Sequence, residues 1–206
     1  MRSEALVVTV EDSVVGVEAA LAAGRIACPD CGARLARWGW ARVRVVRSVG
    51  SVLRLRPRRA RCVACGVTHV LLPVSVLVRR ADAVEVVGAG LVLKAAGFGW
   101  RRVAERLGRP GATVRGWLRR FAARAEAVRG LFTTLLVTVA PDPVPAAAAG
   151  SGFADAVAAV IAVTVGAGVR WAEVVGLSPW RMACAVSASR LLAPGWPQVS
   201  INTSCP

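Results

Sequence analysis

The sequence predicts an α+β fold, mostly α, in which a small β-hairpin unit is followed by a pair of basic helices and a helical C-terminal segment. Three observations predict it. Two Cys-x-x-Cys-Gly motifs, at residues 28–32 and 62–66, flank a stretch of period-two patterning. Between residues 83 and 125 the apolar period becomes helical. Beyond a Pro/Ala/Gly-rich stretch the chain is almost uncharged and rich in Ala and Val.

Taken in chain order, residues 5–10 read as a short strand and residues 13–23 as a helix. Asp12 is placed to cap its start, and Gly24 sits where a left-handed C-cap residue belongs. Residues 41–49 and 52–56 alternate arginines with aliphatics. Arg42, Arg44, Arg54 and Arg56 fall on one parity, and Val43, Val45, Leu53 and Leu55 on the other. With Gly50-Ser51 between the runs, this pattern indicates a β-hairpin with one basic and one apolar face. The helical stretch breaks at Gly97-Phe98-Gly99 and at Gly108-Arg109-Pro110-Gly111, and the helix carrying Trp117 is expected to reach Arg129 or beyond. Residues 141–152 read as a linker and residues 153–165 as an apolar helix. Ser178-Pro179 opens a further helix, with serine as the cap and proline at the first helical position, and Pro194, Gly195 and Pro197 stop it. The last ten residues carry no readable signal. The expected segments are 1–27, 28–80, 81–140, 141–152 and 153–206.

Net charge is +15, and its distribution says more than its size. Residues 28–80 hold twelve arginines against one acidic residue, and residues 81–129 hold ten basic residues against four acidic. Both ends are neutral or slightly acidic. A localised positive field attracts polyanions, of which nucleic acid is the commonest. Lys94 is the sole lysine; the arginine fork suits phosphates and guanine edges. Coding bias explains arginine in place of lysine, but not the clustering. The first residues lack a secretory pattern, and no uncharged apolar run reaches the roughly 18–20 residues that span a bilayer. The sequence thus points away from a membrane and toward a reducing, nucleoid-associated cytoplasmic location, where paired cysteines are more often metal ligands than disulfides.

Cys28, Cys31, Cys62 and Cys65 are the candidate ligands of a structural Zn²⁺. Zinc takes four ligands tetrahedrally, a Cys-x-x-Cys turn presents two sulfurs, and the following glycine relieves strain in that turn. Two pairs around a hairpin form the layout of a zinc ribbon, and four thiolates leave no open position for catalysis. His69 reads as a surface histidine, Cys184 as a buried thiol and Cys205 as a tail thiol.

Residues 99–121 fit a helix-turn-helix. Ala104 is the small residue at the crossing, Gly108 the turn residue, and Val114 and Trp117 the anchors opposing Val103 and Leu107. With Val114, Trp117, Leu118 and Phe121 turned inward, Arg115 and Arg119 face outward as candidates for base contact. Arg101, Arg102, Arg120 and Arg124 are candidates for phosphate contact, with Thr113 beside them, and Arg42, Arg44, Arg54 and Arg56 extend the basic surface along the hairpin.

These residues carry a resemblance. CPDCG, a Trp-Gly-Trp, an arginine-rich hairpin, RCVACG with THVLLP, and a helical pair ending in TVRGWLRRF resemble the zinc-ribbon and helix-turn-helix portion of insertion-sequence transposases. The layout is closer still to short, uncharacterised actinobacterial proteins. The resemblance covers roughly residues 25–129 and implies that the four cysteines are ligands and that the helix after Pro110 reads DNA. Transposases of this kind need three carboxylates on a large nuclease domain. Here only Glu126, Asp142, Asp155 and Glu173 follow, in a short apolar stretch. The expectation is therefore a zinc-containing binder of double-stranded DNA without catalytic activity, either a transposon-related accessory factor or a transcriptional regulator. The rival is a zinc-scaffolded adaptor that self-associates through the C-terminal helices. RNA is the weaker target, because no aromatic stacking platform is evident in the sequence.

Overall fold

The computed structural model describes residues 6–197; Cys205 and the start of the first expected strand lie outside that range. The described chain is α+β, with helices in the majority. Strand β1 (Leu6–Val10) and helix α1 (Val14–Ala22) come first. Strands β2 (Leu35–Trp40), β3 (Arg44–Arg47), β4 (Val52–Leu55), β5 (Arg58–Cys62) and β6 (Thr68–Pro73) follow. Next are α2 (Val84–Ala95), α3 (Trp100–Leu107), α4 (Gly111–Ala122), α5 (Ala125–Val139), α6 (Gly152–Arg170) and α7 (Pro179–Val186), with a short 3₁₀ turn, Ala172–Val174, before α7.

Helix α1 is capped one residue later than the sequence suggests. The Ser13 hydroxyl accepts from the Gly16 N–H at 3.1 Å. Asp12 instead accepts from the Ser75 hydroxyl at 2.6 Å and pairs with Arg181 at 2.9 Å, so its carboxylate serves tertiary contacts. Gly24 does adopt the left-handed conformation, at φ 67°.

The main sheet has the order β1-β6-β5-β2. Strand β1 lies parallel to β6, while β5 is antiparallel to both of its neighbours. Strands β3 and β4 form a separate hairpin inserted between β2 and β5. Its two-residue tip, Val49-Gly50, is closed by the Ser48 N–H donating to the Ser51 carbonyl at 2.8 Å. A two-residue tip pairs positions of opposite parity, so Arg44 faces Leu55 and Arg54 faces Val45 across the ladder. Residues directly opposite share a face. The expected division into one basic and one apolar face is therefore replaced by two mixed faces. Val46, beside Arg44, is fully buried, whereas Val45 is 52% exposed.

Strand β6 separates two cores. Leu71 joins Val17, Leu21, Leu35, Ala60 and the two buried cysteines in a small cluster beneath α1. Leu72, on the other face, joins a large cluster that runs from Val46 to Leu192 and draws on α2 to α7. The period of two makes this possible, since successive side chains point to opposite faces.

The large cluster joins segments that composition sets apart. Helices α5 and α6 pack extensively on each other across the connecting residues 141–151. Ser151 caps α6 by accepting from the Ala154 N–H. By length and composition α6 could cross a membrane. Its inner face, including Ala156, Val157, Val160 and Val163, is buried in the core. Helix α7 starts as expected, with Ser178 as cap and Pro179 in the first turn. It ends earlier than the prolines suggest, where Ala188 and Ser189 take positive φ. Ser189 then binds back to the start of the chain, its hydroxyl 2.8 Å from Thr9 Oγ1. Small residues make these approaches possible: a Cβ on Gly88 would lie 2.1 Å from the Trp180 ring. The helix expected to run past Arg129 is two helices, broken at Arg124 (φ −132°). No glycine or proline marks that break.

A chain ending at residue 140 loses the partners of Val128, Phe132 and Leu136, all buried. Such a truncation is expected to abolish cooperative thermal unfolding and to aggregate, as followed by near-UV circular dichroism and light scattering.

Candidate metal centre and basic helical face

Cys28 and Cys31 lie in the loop between α1 and β2, and Cys62 and Cys65 at the end of β5. Pairing of Leu35 with Cys62 brings the two loops together. The loops share one design. In the first, the Gly32 N–H donates to the Cys28 carbonyl at 2.9 Å; in the second, the Gly66 N–H donates to the Cys62 carbonyl at 3.2 Å. The two glycines take φ 74° and 73°, values that explain why each motif needs glycine.

All four sulfurs lie within 4.8 Å of one another. Cys28 Sγ is 3.8 Å from Cys65 Sγ, and Cys31 Sγ is 3.4 Å from Cys62 Sγ. A disulfide needs about 2.05 Å. A metal held tetrahedrally by thiolates at about 2.3 Å needs sulfurs about 3.8 Å apart, which is close to the geometry found. The four cysteines thus form a possible metal site whose ligand set is all sulfur. Cys28 and Cys62 are buried, Cys31 and Cys65 exposed, so the site lies at the surface edge of the small core.

The electrostatics of the cluster fit the same chemistry. Burial raises the Cys62 thiol, but N–H groups of Cys65 and Ala64 and the neighbouring thiols outweigh it and bring it to about 6. Both N–H groups lie 3.4 Å from its sulfur. At Cys65 the Val67 N–H favours the thiolate, yet the neighbouring sulfurs and burial prevail and push it up to about 12. One thiolate is favoured and further ones repel each other, which is the imbalance a bound cation removes.

His69 is not at the surface. It is fully buried, because it shares the parity of Leu71 on β6 and points into the small core. Its Nε2 lies 3.4 Å from Cys28 Sγ. The period-two pattern of residues 68–73 carried this signal, since His69 alternates in step with Leu71.

The sequence reading also missed Asp82. This carboxylate is 1% exposed and joins three elements. Arg47 of β3 donates to it through Nε at 3.0 Å and Nη2 at 2.7 Å. Arg109, in the α3–α4 turn, donates through Nε at 2.8 Å and reaches the Ser48 carbonyl at the hairpin tip, also at 2.8 Å. The hairpin, the start of α2 and the α3–α4 turn are therefore tied at one point.

Helices α3 and α4 are joined by Gly108-Arg109-Pro110, with Gly108 left-handed at φ 60°. Pro110 sits at the cap position, just ahead of the first helical turn. Val103 and Ala104 of α3, and Val114, Trp117, Leu118 and Phe121 of α4, are buried. Arg101, Arg102, Arg115 and Arg119 are exposed, and Arg120 and Thr113 half-buried. Arg120 donates to the Gly116 carbonyl at 3.0 Å. On the hairpin Arg42, Arg54 and Arg56 are exposed. Arg44 is half-buried and donates to the Leu77 and Arg80 carbonyls at 3.4 and 2.8 Å, and burial lowers its pKa. It braces the loop after β6.

Trp38 and Trp40 are 53% and 41% exposed, each beneath an arginine: Arg61 over Trp38 at 4.8 Å and Arg58 over Trp40 at 4.5 Å. Arg58 and Arg61 are three residues apart and stand on opposite faces of β5, so the rings do not form one stacking platform.

No family model, curated protein or solved structure matches the chain. Its functional reading rests on this geometry.

Two outcomes follow. One equivalent of a thiophilic divalent cation is expected to shield the four clustered cysteines from maleimide, and any single Cys→Ser change to remove that shielding. The Cys62 thiol is held below its ordinary value, so the thiolate form prevails at neutral pH. Shielding should weaken as pH falls, because protons compete with the cation for the four thiolates. Separately, Asp82→Ala leaves Arg47 and Arg109 facing each other without a counter-charge. It should cost about 3–5 kcal/mol in urea unfolding, whereas Arg115→Ala should cost under about 0.5 kcal/mol.

Proposed function

We propose that the chain is a zinc-containing protein that binds double-stranded DNA, with α3 and α4 acting as a helix-turn-helix and the four-cysteine unit as a zinc ribbon. It would serve as a transposon-related accessory factor or a transcriptional regulator, with no catalytic activity of its own. The observation that carries the reading is the division of α4. Its inner face is spent on the core, while Arg115 and Arg119, one turn apart, project from the opposite face. A helix inserted in a major groove needs such a face, anchored on one side and arginine-bearing on the other.

Zinc suits the site on donor type, since four thiolates select zinc among the divalent metals generally available to proteins. Its role would be structural, because the small core beneath α1 holds few large side chains and metal binding would supply folding energy there. Arg115 and Arg119 are assigned to base edges. Arg101, Arg102 and Arg120, with Thr113 beside them, are assigned to phosphates. Arg42, Arg54 and Arg56 extend the positive field along the hairpin. Arg44 and Arg109 belong to the scaffold.

A second reading, self-association through the C-terminal helices, draws on one specific feature. Val165, Val169 and Val175 are 66%, 74% and 70% exposed at one end of α6 and the turn beyond it. Since α6 also builds the core, any such contact would use only this end.

Mobility-shift titration of the zinc-loaded protein on duplex DNA at two salt concentrations tests the first reading. Affinity should fall steeply as salt rises, with about 0.9 log units lost per log unit of salt for each phosphate contacted. Arg115→Ala and Arg119→Ala should narrow the gap between preferred and random duplexes by about 1–3 kcal/mol. Arg54→Ala should weaken both equally. Binding indifferent to salt, or unaffected by all three changes, overturns it.

A further inference from the structure

The two cysteine loops share a turn but not a set of donors. Cys62 Sγ accepts from the Ala64 and Cys65 N–H groups, each at 3.4 Å. Cys28 holds the equivalent place in the first loop, yet among the described residues no backbone N–H reaches its sulfur. The contacts of Cys28 Sγ are instead Cys65 Sγ at 3.8 Å and His69 Nε2 at 3.4 Å. Cys28 is 2% exposed, so water does not make up the difference. A thiolate taken out of water needs donors in its place.

His69 is the chain's one histidine, and its surroundings fix it as that donor. It lies where β6 is paired on both sides, with Leu6 of β1 and with Ala60 of β5. The ring is fully buried, and Nδ1 has no hydrogen-bond partner among the described residues. Neutral imidazole carries one N–H and one lone pair, and the groups facing each nitrogen decide where the proton sits. A metal-bound thiolate has no proton and can only accept. With its proton on Nε2, the ring makes a hydrogen bond to sulfur. With the proton on Nδ1, it would bury a donor without an acceptor and aim a lone pair at a negative sulfur. The ring does not join the four sulfurs as a fifth donor: its nitrogen groups with Cys28 and Asp30, apart from the cluster of Cys28, Cys31, Cys62 and Cys65.

We propose that His69 is a positioning residue of the four-cysteine site. Its neutral ring donates Nε2–H to the Cys28 thiolate, supplying there what backbone N–H groups supply at Cys62, and so tightens the hold on the metal. This assignment rests on the zinc reading.

The test uses the full chain in two loaded forms. Co²⁺ reports its donor set through thiolate charge-transfer and d–d bands. The Zn²⁺ form is used for nitrogen NMR of the histidine ring, where a single residue gives every signal. The cobalt spectrum should be that of four thiolates, and the ring in the Zn²⁺ form should be the Nε2–H tautomer. His69→Leu should move the charge-transfer band to lower energy and weaken Zn²⁺ retention against a chelator by about 10–100-fold. His69→Gln keeps an amide N–H near the same place and should restore most of both, a rescue that a space-filling role does not predict. If His69→Leu fails to fold, the tautomer in the unaltered chain decides. An Nδ1–H tautomer, or a folded His69→Leu chain with band and retention unchanged, overturns the proposal and leaves the metal reading standing. A spectrum of three thiolates and one nitrogen also overturns it, since His69 would then be a ligand. A chain that takes up neither ion sinks the metal reading and the proposal together.

Discussion

Asp82 stands just ahead of α2, nearly sealed from solvent, with guanidinium groups arriving from the hairpin on one side and from the α3–α4 turn on the other. A buried carboxylate is tolerated only where such donors replace the water it has lost. Because Arg109 also reaches the hairpin tip at Ser48, the contact fixes a relation between parts rather than stabilising one part alone. The orientation of α4 relative to β3 and β4 follows from it.

The arginines divide accordingly. A sequence dense in arginine invites the view that all of them form a solvated, partner-seeking surface. Arg44, Arg47, Arg80 and Arg109 instead spend their donors on carbonyls or on Asp82, and Arg58 pairs with Glu18 at 2.9 Å. An arginine can satisfy several carbonyls that no helix or strand reaches. The positive field is the remainder: Arg101, Arg102, Arg115 and Arg119 on the helical pair, and Arg42, Arg54 and Arg56 on the hairpin.

What could be read in advance was whatever depends on local chemistry. The two cysteine loops with their left-handed glycines, the Gly108 turn, the buried stripe of α4 and the Ser178-Pro179 cap all follow from residues within one turn of each other. What escaped depends on distant partners. Nothing in residues 6–10 announces a parallel pairing with residues 69–73, because the crossover contains the whole four-cysteine unit. The hairpin faces were misassigned because parity along one strand says nothing about its partner until the tip length is known. His69 was placed outside although it keeps step with Leu71. The C-terminal helices looked detachable because their Ala and Val face has no signature separating core from interface.

Strand β6 shows how the two halves constrain each other. Leu71 and His69 face the cysteine unit, and Leu72 faces the helical core, so one backbone serves as the wall of both. A strand so used cannot shift register without exchanging the two faces and emptying both cores at once. If the metal holds the cysteine loops, it therefore also holds the register of β6, and with it the start of the loop that carries Arg79, Arg80 and Asp82. The helical core is the larger and could survive loosening of the small one. The reverse does not hold, since the small cluster has only α1 and one face of the sheet to close it. Loss of such a metal should thus be felt first as disorder in the cysteine loops and α1, and only last as unfolding of the helices.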